Sequence, residues 1–547
     1  MNDSFHVYDT TLRDGAQREG ISYSVADKLA VAGLLDELGV GFIEGGWPGA
    51  MPKDTEFFVR ARTELKLRNA QLVAFGATRR ASTPVESDKQ VAALLASEAP
   101  VVTLVAKSDA RHVEQALRTT REENLAMVSD TVSHLVRNGR RVFVDCEHFF
   151  DGYLAEPEYA LSVLRAAGDA GADVGVLCDT NGGMLPMRLA RVVVEVMKAV
   201  DLRLGIHCQD DTACAVANTL AAVEAGVTHV QCTANGYGER AGNADLFAVV
   251  AGLEEKLNRK VLPEGCLKEM MRVSHAIAEI ANIQPDAHQA YVGSSSFAHK
   301  AGLHASAIKV SPRLYNHMEP ETVGNDMRIL VTEMAGRASV ELKSRELGLD
   351  LTEHPKTVSA VVATVKEKEA QGWSFEAADA SFELLVREQL AASSGRKNPV
   401  LFTLESYRVS VEHRADEDVV SEATVKLRVN GERVIATMEG NGPVNALDHA
   451  LRKALVGPFP EIAEMELSDY KARILEGKHG TDAVTRVLIT TSATGGDWTT
   501  VGVHGNVIEA SWHAMVDALM YGLRSKWSKS SSLTSRPAGS AAAIPVG

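Results

Sequence analysis

The chain has 547 residues, of which 45% are hydrophobic and 5% aromatic, so it is long enough for two or three globular domains with sizeable cores. Its formal net charge of −15 argues against a general nucleic-acid or membrane-surface binder, because both usually present a basic face. No apolar run approaches the roughly 18 residues that a membrane span needs. We therefore predict a protein with no nucleic-acid partner and no membrane partner.

The amino terminus, MNDSFHVYDT, has neither the basic segment nor the apolar segment of a signal peptide. Six cysteines are thinly spread, with no Cys-x-x-Cys pair. In so long a chain this distribution is typical of reduced thiols rather than of a disulfide framework. Both features predict a cytoplasmic protein.

From Phe5 to about Lys256 one rhythm repeats, in which a short apolar or β-branched run is followed by an amphipathic helical pattern. The strand candidates are FHVYDT, GFIEGG, QLVAFG, VVTLVA, RVFVDC, DVGVLC, RLGIHC and THVQCT. Eight such repeats favour an α/β fold of the (β/α)₈ TIM-barrel kind over an open, doubly wound sheet. An open sheet would normally carry a Gly-rich phosphate turn after its first strand, whereas that turn reads TTLRDGAQ. We assign the barrel to residues 1–260.

After the barrel pattern the chain changes character twice. Residues 261–390 are helical with polar interruptions such as SSSFAHKAGLH, which predicts a helical linker subdomain. In residues 398–525, runs such as ATVKLRV and VTRVLITTS alternate and predict antiparallel strands. PVNALDHAL (443–451) aligns with VIEASWHAM (507–515), so we expect a C-terminal α+β domain of two βββα repeats. Residues 526–547, rich in Ser, Ala, Gly and Pro, predict a disordered tail.

Polar side chains gather at the predicted carboxyl ends of the barrel strands, where TIM barrels build their active sites. His207 and Gln209 are two residues apart on strand seven, so both side chains point to the same face. Together with Asp14 and Asn243 they offer one imidazole, one carboxylate and two amides. Such a set suits Mn²⁺ or Mg²⁺, or a borderline ion such as Zn²⁺ or Co²⁺. The alternative is an ordinary hydrogen-bonded histidine at a strand end.

Six motifs in a fixed order carry a resemblance to a known family. They are DTTLRDGAQ, EGGWPGAMPKD, CEHFFDGY, CDTNGGMLP, AVANTLAAVEAG and NGYGERAGNADL, each at a strand end or at the start of a helix. The series resembles the DRE-type TIM-barrel metal enzymes, the group of the 2-isopropylmalate, homocitrate and citramalate synthases. EGGWPGAMPKD and EHFFDGY are most similar to the citramalate branch. The resemblance extends to HKAGLHASA (299–307) and to the C-terminal domain.

The resemblance implies a divalent-metal-dependent acyltransferase that joins an acyl-CoA to a 2-oxo acid by Claisen condensation. Its most similar branch implies acetyl-CoA and pyruvate as substrates and (R)-citramalate and CoA as products, a reaction that leads toward isoleucine. Asp14, His207 and Asn243 match metal-ligand positions of the family, and Gln209 is the fourth candidate ligand.

Further residues match catalytic positions of the family. Arg13 matches the arginine that stabilises the developing alkoxide or enolate, and Glu44 matches the acid that orients it. Glu147 and His304 match the pair associated with deprotonating the acetyl methyl group, with Tyr315 as a helper. Substrate binding is assigned to residues at the strand ends, namely Arg13, Gln17, Asp179 and Thr180.

Three residues depart from the family pattern. Gln209 stands where relatives carry a second histidine, and Asp210 stands where they carry asparagine. A glutamine oxygen is a poorer ligand than imidazole for late transition metals, though adequate for Mg²⁺ or Mn²⁺. Asp210 should face away from Gln209 on a regular strand. Arg18 replaces a small residue and is interpreted either as a solvated loop arginine or as a contact for an extra anionic group on the acceptor.

These departures leave other functions open. One is a paralogous synthase that uses another 2-oxo acid, and the other is a catalytically impaired, effector-binding protein that has lost its metal. Arg13 and Asp14 could also be a plain ion pair at the barrel mouth. Retention of the remaining site residues argues against impairment, and we predict a metal that binds more weakly or with altered selectivity.

The C-terminal domain poses a separate question. The resemblance implies a regulatory domain that binds a branched-chain amino-acid effector near GNGPVNA (440–446) and HGNVIEAS (504–511). Free amides at the amino ends of the two helices would suit an effector carboxylate. The alternative is a dimerisation module without an effector. A homodimer is expected from the resemblance alone.

Overall fold

The computed structural model describes residues 4–395, 400–413, 419–475 and 483–533. The chain divides into two compact units. The first comprises Met1–Phe297 with Asn316–Met327, and the second comprises Ala298–Tyr315 with Arg328–Gly547.

The first unit is built on a closed barrel of eight parallel strands, paired in chain order, with β1 hydrogen-bonded to β8. In order from β1 to β8 the strands are His6–Asp9, Phe42–Gly46, Gln71–Ala77, Val101–Lys107, Arg141–Glu147, Val174–Asp179, Arg203–Cys208 and His229–Cys232. Each coincides with a predicted strand segment, and the TIM-barrel prediction is confirmed.

Helices connect the strands, and local sequence sets where they begin and end. The α-helices of this unit are Val25–Leu38, Pro52–Glu64, Lys89–Ala96, Ala110–His112, Arg121–Arg137, Phe149–Ala155, Pro157–Asp169, Pro186–Ala199, Ala215–Glu224, Leu246–Ala251 and Met270–Ile280. The first of them begins with a capping box, in which Ser24 and Asp27 satisfy each other's backbone amides. It ends at Gly39, whose φ of 94° lies in the left-handed region that favours glycine.

Large side chains fill the barrel interior. Tyr8, Phe42 and Phe143 are fully buried there and contact one another through their rings. A packed interior leaves only the barrel ends for a ligand, and in this fold the active site lies at the carboxyl ends of the strands.

The second unit begins with the short parallel strands β9 (Ala298–His299) and β10 (Arg328–Ile329) and is then helical. Its linker helices are Gly302–Val310, Arg337–Glu346, Pro355–Ala370 and Asp379–Ser393. The predicted helical linker is confirmed.

Two three-stranded antiparallel sheets, each followed by a helix, complete the second unit. The first half contains β11 Phe402–His413, β12 Val419–Val429, β13 Glu432–Gly440 and helix Pro443–Leu455. The second half contains β14 Glu466–Ile474, β15 Thr485–Ala493, β16 Gly496–His504 and helix Val507–Leu533. The predicted pair of βββα repeats is confirmed.

The compact units do not follow the predicted boundaries at every point. The barrel unit continues past residue 260, because Met270, Val273 and Ile277 are buried in the same apolar cluster as the barrel helices. The last helix runs through Leu533 into the predicted tail, where no Gly or Pro interrupts it before Pro537. Residues 534–547 of that tail, and residues 396–399 at the predicted linker boundary, lie outside the described residues. The division at 260, 390 and 525 remains a prediction.

No helix in the described part of the chain has the length and apolar character needed to cross a lipid bilayer.

Candidate active site

A cavity of about 650 Å³ lies at the carboxyl ends of the barrel strands. The loops after the strands contribute to its wall, and the sequence-predicted residues found there are Arg13, Asp14, Gln17, Glu147, Thr180, His207 and Gln209. Residues far apart in the chain therefore meet at one site, as expected from the fold.

At one wall of this cavity the predicted metal-ligand side chains converge. Nε2 of His207 lies 3.4 Å from Oδ2 of Asp14. Nε2 of Gln209 lies 3.3 Å from that same carboxylate oxygen and 3.3 Å from Nε2 of His207. All three residues are buried. The alternation predicted at the end of β7 is confirmed, because the side chains of His207 and Gln209 lie on the same face and are 3.3 Å apart.

Asn243 lies in the loop after β8 and is the bridge partner of Gln209. This loop runs antiparallel to the end of β7, with the amide of Ala244 donating to the carbonyl of Cys208 at 3.1 Å. Nδ2 of Asn243 donates to the carbonyl of Tyr237 at 3.0 Å. The turn depends on Gly238, because an added Cβ would lie 2.2 Å from Nδ2 of Asn243. Gly238 of NGYGERAGN therefore leaves room for the side chain of Asn243, a candidate metal ligand.

Two buried oxygens in this group have no hydrogen-bond partner, namely Oε1 of Gln209 and Oδ1 of Asn243. A buried polar atom without a partner is costly, and it is stabilised when a cation binds to it. No cluster of three or more His, Cys, Asp or Glu side chains suited to a metal occurs in the described residues, so a metal here would need amide ligands as well. Gln209 presents its Nε2 to Asp14 and His207, and it would have to turn its amide to offer Oε1. With that rotation, the residue types present, one carboxylate, one imidazole and two amides, fit an oxygen-preferring divalent cation.

A hydrogen-bonded side chain positions the His207 ring at its Nδ1 atom. Its Nδ1 lies 3.0 Å from Oε1 of Gln231, whose Nε2 donates to Oδ1 of Asp145 at 2.8 Å. Burial lowers the pKa of His207, and the charge of Asp14 offsets part of that effect. A neutral ring is the form that can bind a metal.

Arg13 is a partly buried cation at the wall of the cavity. Its Nε donates to Oε1 of Glu44, and its guanidinium lies 3.8 Å from the centroid of the Phe75 ring. Glu44 is fully buried and also accepts a 2.6 Å hydrogen bond from the hydroxyl of Tyr8. Burial alone would lower the pKa of Arg13, but the negative charges of Glu44 and Asp14 raise it by more than burial lowers it. The pKa of Arg13 therefore lies above its ordinary value, and the guanidinium stays protonated. Arg13 thus pairs with Glu44, while Asp14 lies beside His207.

Two carboxyl groups on β5 face the cavity. Glu147 forms an ion pair with Lys107 at the end of β4. Asp145, two residues earlier, is buried, and burial together with the charge of Glu44 raises its pKa to about 7. The two acids therefore differ in environment, one partly exposed and paired, the other enclosed.

The predicted substrate-binding residues have different positions. Gln17 and Thr180 line the cavity, and the hydroxyl of Thr180 accepts a 2.8 Å hydrogen bond from the amide of His148. Asp179 does not line it. Its carboxylate accepts hydrogen bonds from the amides of Gly183 at 3.2 Å and Met184 at 3.1 Å. Its geometry is that of a residue that holds the loop after β6, and a substrate contact by Asp179 remains a prediction.

His304 and Tyr315 belong to the second unit, where their rings stack with centroids 4.1 Å apart. Glu147 belongs to the first unit. The action of His304 and Tyr315 at the barrel site remains a prediction.

Two of the departures from the family pattern lie on another side of the site. Oδ1 of Asp210 accepts a 2.8 Å hydrogen bond from the amide of Ala215, so Asp210 faces away from the cavity as predicted. The guanidinium of Arg18 lies 5.3 Å from the Tyr237 ring centroid. Arg18 and Asp210 line a separate cavity of about 280 Å³, and Asn243 lines that cavity rather than the larger one. This position favours the interpretation of Arg18 as a loop arginine over a contact with the acceptor.

Two residues of the site, Lys107 and Gln231, were not among the predicted residues, and Asp145, a polar residue at the end of strand five, was assigned no role. Lys107 and Asp145 lie at the carboxyl end of a predicted strand, so position alone marks them as candidates. Gln231 lies in the middle of THVQCT and gives no such signal. It pairs with His207 on the neighbouring strand β7, and only the curvature of the barrel brings it to Asp145 on β5.

Comparison with family models matches three consecutive parts of the chain. Residues 4–277 match the HMGL-like family, residues 291–372 match the homocitrate synthase post-HMGL domain-like family, and residues 376–523 match the LeuA allosteric (dimerisation) domain. The three matches follow the order of the barrel, the linker and the paired βββα repeats.

Full-length relatives agree with this order. The chain is 65% identical to an (R)-citramalate synthase of Streptomyces coelicolor, over 96% of this chain and 97% of that protein. It is 48% identical to an (R)-citramalate synthase of Synechocystis sp., over 95% and 96% of the two chains. A third (R)-citramalate synthase, from Geobacter sulfurreducens, is 45% identical over 94% and 97%. The chain therefore belongs to the (R)-citramalate synthase family of HMGL-like proteins.

Proposed function

We propose that this chain condenses acetyl-CoA with pyruvate and water to give (R)-citramalate and CoA. One observation carries the proposal beyond the similarity to relatives of that name. The partly buried Arg13 guanidinium and the converging side chains of Asp14, His207 and Gln209 line one cavity. A 2-oxo acid offers a carboxylate and a ketone oxygen, and this wall offers a permanent cation and a cation-binding group for them.

The side chains that would hold a divalent metal are Asp14, His207, Gln209 and Asn243. When bound, the metal would act as a Lewis acid toward the ketone of the 2-oxo acid. Three oxygens and one nitrogen favour Mg²⁺ or Mn²⁺ over Zn²⁺ or Co²⁺. The partnerless oxygens of Gln209 and Asn243 support this assignment.

Arg13 stabilises the negative charge that develops on the ketone oxygen as the new C–C bond forms. It is suited to this role because Glu44 and the Phe75 ring fix its guanidinium before substrate arrives. A preorganised cation in a dry site costs little reorganisation during the reaction.

Glu147 removes a proton from the methyl group of acetyl-CoA, with His304 and Tyr315 assisting. The resulting carbanion attacks the ketone carbon, and the ketone oxygen takes up a proton to become the hydroxyl of citramalyl-CoA. Water then cleaves the thioester, releasing CoA and making the overall reaction irreversible. Lys107 supports this role by holding Glu147 at the cavity wall.

For the second unit we propose a homodimer whose C-terminal domain binds a branched-chain amino acid as effector. The match to the LeuA allosteric (dimerisation) domain supports this. A cavity of about 560 Å³ beside the start of helix Pro443–Leu455 also supports it, because the predicted segment GNGPVNA contributes to its wall. Regulation requires a measured coupling between the effector and the barrel site.

We also propose a cytoplasmic location. All six cysteines are free, and four of them are buried, namely Cys146, Cys178, Cys208 and Cys232. Free buried thiols are typical of proteins kept in a reducing compartment.

The test is metal-stimulated thiol release from acetyl-CoA by the full-length protein. Pyruvate, 2-oxobutyrate, 2-oxoisovalerate and 2-oxoglutarate are offered separately, each with Mn²⁺, with Mg²⁺ or with a chelator. We expect turnover that is selective for pyruvate and is lost in chelator. Selectivity for another acceptor would contradict the substrate assignment, and turnover unaffected by chelator would contradict the metal assignment.

A further inference from the structure

Gln231 on β8 lies between a metal-ligand candidate and a buried acid. Its exposure is 1%, and both ends of its carboxamide are occupied. Nε2 donates to Oδ1 of Asp145 at 2.8 Å, and Oε1 lies 3.0 Å from Nδ1 of His207. The three residues come from β5, β7 and β8, so the bridge exists only in the closed barrel.

The hydrogen-bonding capacity of these groups fixes the direction of the bridge. Burial raises the pKa of Asp145 to about 7, and the tests below are made above that pH. There Asp145 is a carboxylate, which only accepts hydrogen bonds, so it requires the NH₂ end of the Gln231 amide. The amide oxygen then faces His207, and its only complement there is a hydrogen on Nδ1. With Asp145 ionised, the reversed amide would bring its oxygen to 2.8 Å from Oδ1 of that carboxylate, with no hydrogen between them.

A neutral imidazole carries one hydrogen, so a hydrogen on Nδ1 leaves a lone pair on Nε2. That nitrogen is the one that lies 3.4 Å from Oδ2 of Asp14. We infer that Gln231 is a positioning residue, which fixes the Nδ1–H tautomer of His207 and turns the Nε2 lone pair toward the bound cation. Asp145 anchors Gln231 in the orientation that this requires.

The inference rests on the proposed function for the presence of the cation, but the tautomer of His207 is a property of the protein alone. It can therefore be tested without metal. Hydrogen bonds from a metal-binding histidine to a second group commonly contribute ten- to hundredfold in metal affinity.

The variant is Gln231→Met, which has a similar length but cannot accept a hydrogen bond from Nδ1. The conservative variant is Gln231→Glu, in which a carboxyl group sharing one proton with Asp145 can still accept from His207. The matched control is Asn325→Leu. Asn325 is a buried amide of the same unit that donates to the carbonyls of Tyr291 at 2.8 Å and Gly293 at 2.9 Å and does not line the cavity.

The first measurement is the tautomer of His207, read from the ring nitrogen shifts of ¹⁵N-histidine-labelled full-length protein in chelator and assigned with His207→Asn. We expect Nδ1–H in the unaltered protein, in Gln231→Glu and in Asn325→Leu, and loss of that tautomer in Gln231→Met. An unchanged tautomer in Gln231→Met would overturn the inference.

The second measurement is the Kd for Mn²⁺, from the electron paramagnetic resonance signal of free Mn²⁺, with Tm recorded for each protein. We expect Gln231→Met to weaken binding about ten- to hundredfold, Gln231→Glu to recover most of it, and Asn325→Leu to lower Tm without changing Kd. Equal Kd values for Gln231→Met and the unaltered protein would overturn the inference. Absence of Mn²⁺ binding in the unaltered protein would instead contradict the metal of the proposed function, and the tautomer would then decide the role of Gln231.

Discussion

Nε2 of His207 and Oδ2 of Asp14 face each other at 3.4 Å, and Nε2 of Gln209 lies 3.3 Å from both. With the ring hydrogen on Nδ1, both facing atoms are hydrogen-bond acceptors, and the amide hydrogens of Gln209 satisfy them. A cation bound there would replace those hydrogens, and Gln209 would turn its partnerless Oε1 toward it. We therefore expect metal selectivity to depend on Gln209.

The first prediction concerns that residue. In Gln209→His an imidazole replaces an amide oxygen, so we expect affinity for Zn²⁺ or Co²⁺ relative to Mg²⁺ to rise on the order of tenfold or more, because imidazole suits the later metals. Competition between metals, followed by calorimetry, measures the ratio. Gln209→Met is the control. It offers neither an imidazole nitrogen nor an amide oxygen, so it should weaken the binding of every metal tested. An unchanged ratio in Gln209→His would mean that the side chain at this position is not a ligand.

The second prediction concerns the cation of the cavity. Arg13→Lys keeps the positive charge but loses the planar group that lies on Phe75 and bonds to Glu44. We expect kcat to fall about 10²- to 10³-fold, the loss that follows removal of one preorganised donor to a developing oxyanion. Steady-state kinetics with saturating metal and pyruvate test this, and the Kd for Mn²⁺ should stay within a few-fold. A kcat within threefold of the unaltered enzyme would exclude the assigned role.

The third prediction separates proton removal from metal binding. Glu147→Gln removes the proposed base but leaves the ligand set intact, so we expect kcat to fall about 10²- to 10⁴-fold with unchanged Mn²⁺ affinity. Exchange of the methyl protons of acetyl-CoA with solvent deuterium, followed by NMR, should slow in parallel. Lys107→Met is the companion variant, because it removes only the partner of Glu147. If methyl exchange persists at the normal rate in Glu147→Gln, another group is the base.

The fourth prediction concerns the second unit, where Asp517 is half-buried and accepts a 2.8 Å hydrogen bond from the hydroxyl of Ser381. Burial raises the pKa of Asp517 to about 6, above the roughly 3.9 of an unfolded chain. A raised folded-state pKa contributes stability that is complete below the unfolded pKa and is lost as pH rises through the folded pKa. The free energy of unfolding should therefore lose about 2–3 kcal/mol from this group between pH 4 and pH 7.

Asp517→Asn isolates that contribution, because it keeps an acceptor for Ser381 but does not titrate. Urea unfolding followed by tryptophan fluorescence, which reports mainly on the second unit through Trp373, Trp498 and Trp512, gives the two pH profiles. We expect the variant to gain stability relative to the unaltered protein as pH rises from 4 to 7. Parallel profiles would contradict a raised pKa for Asp517.

The sequence determined the architecture because the relevant signals are local. A period of two along VTRVLITTS or RLGIHC, and the alternation of such runs with helical patterns, follows from the geometry of single strands and helices. The same local rule placed His207 and Gln209 on one face and turned Asp210 away. The motif order allowed Arg13, Asp14 and Asn243 to be assigned to the same site before any distance was known.

The tertiary structure decided how those residues are connected, because side-chain partners from different strands have no fixed spacing in sequence. The curvature of the closed barrel brings Gln231 on β8 to Asp145 on β5, and the pairing of β1 with β2 brings Arg13 to Glu44 rather than to Asp14. The tertiary structure also commits the carboxylate of Asp179 to two loop amides. A strand pattern specifies which face a side chain occupies. The partner on that face, and with it the tautomer or charge of the group, is set only when the barrel closes and water is excluded.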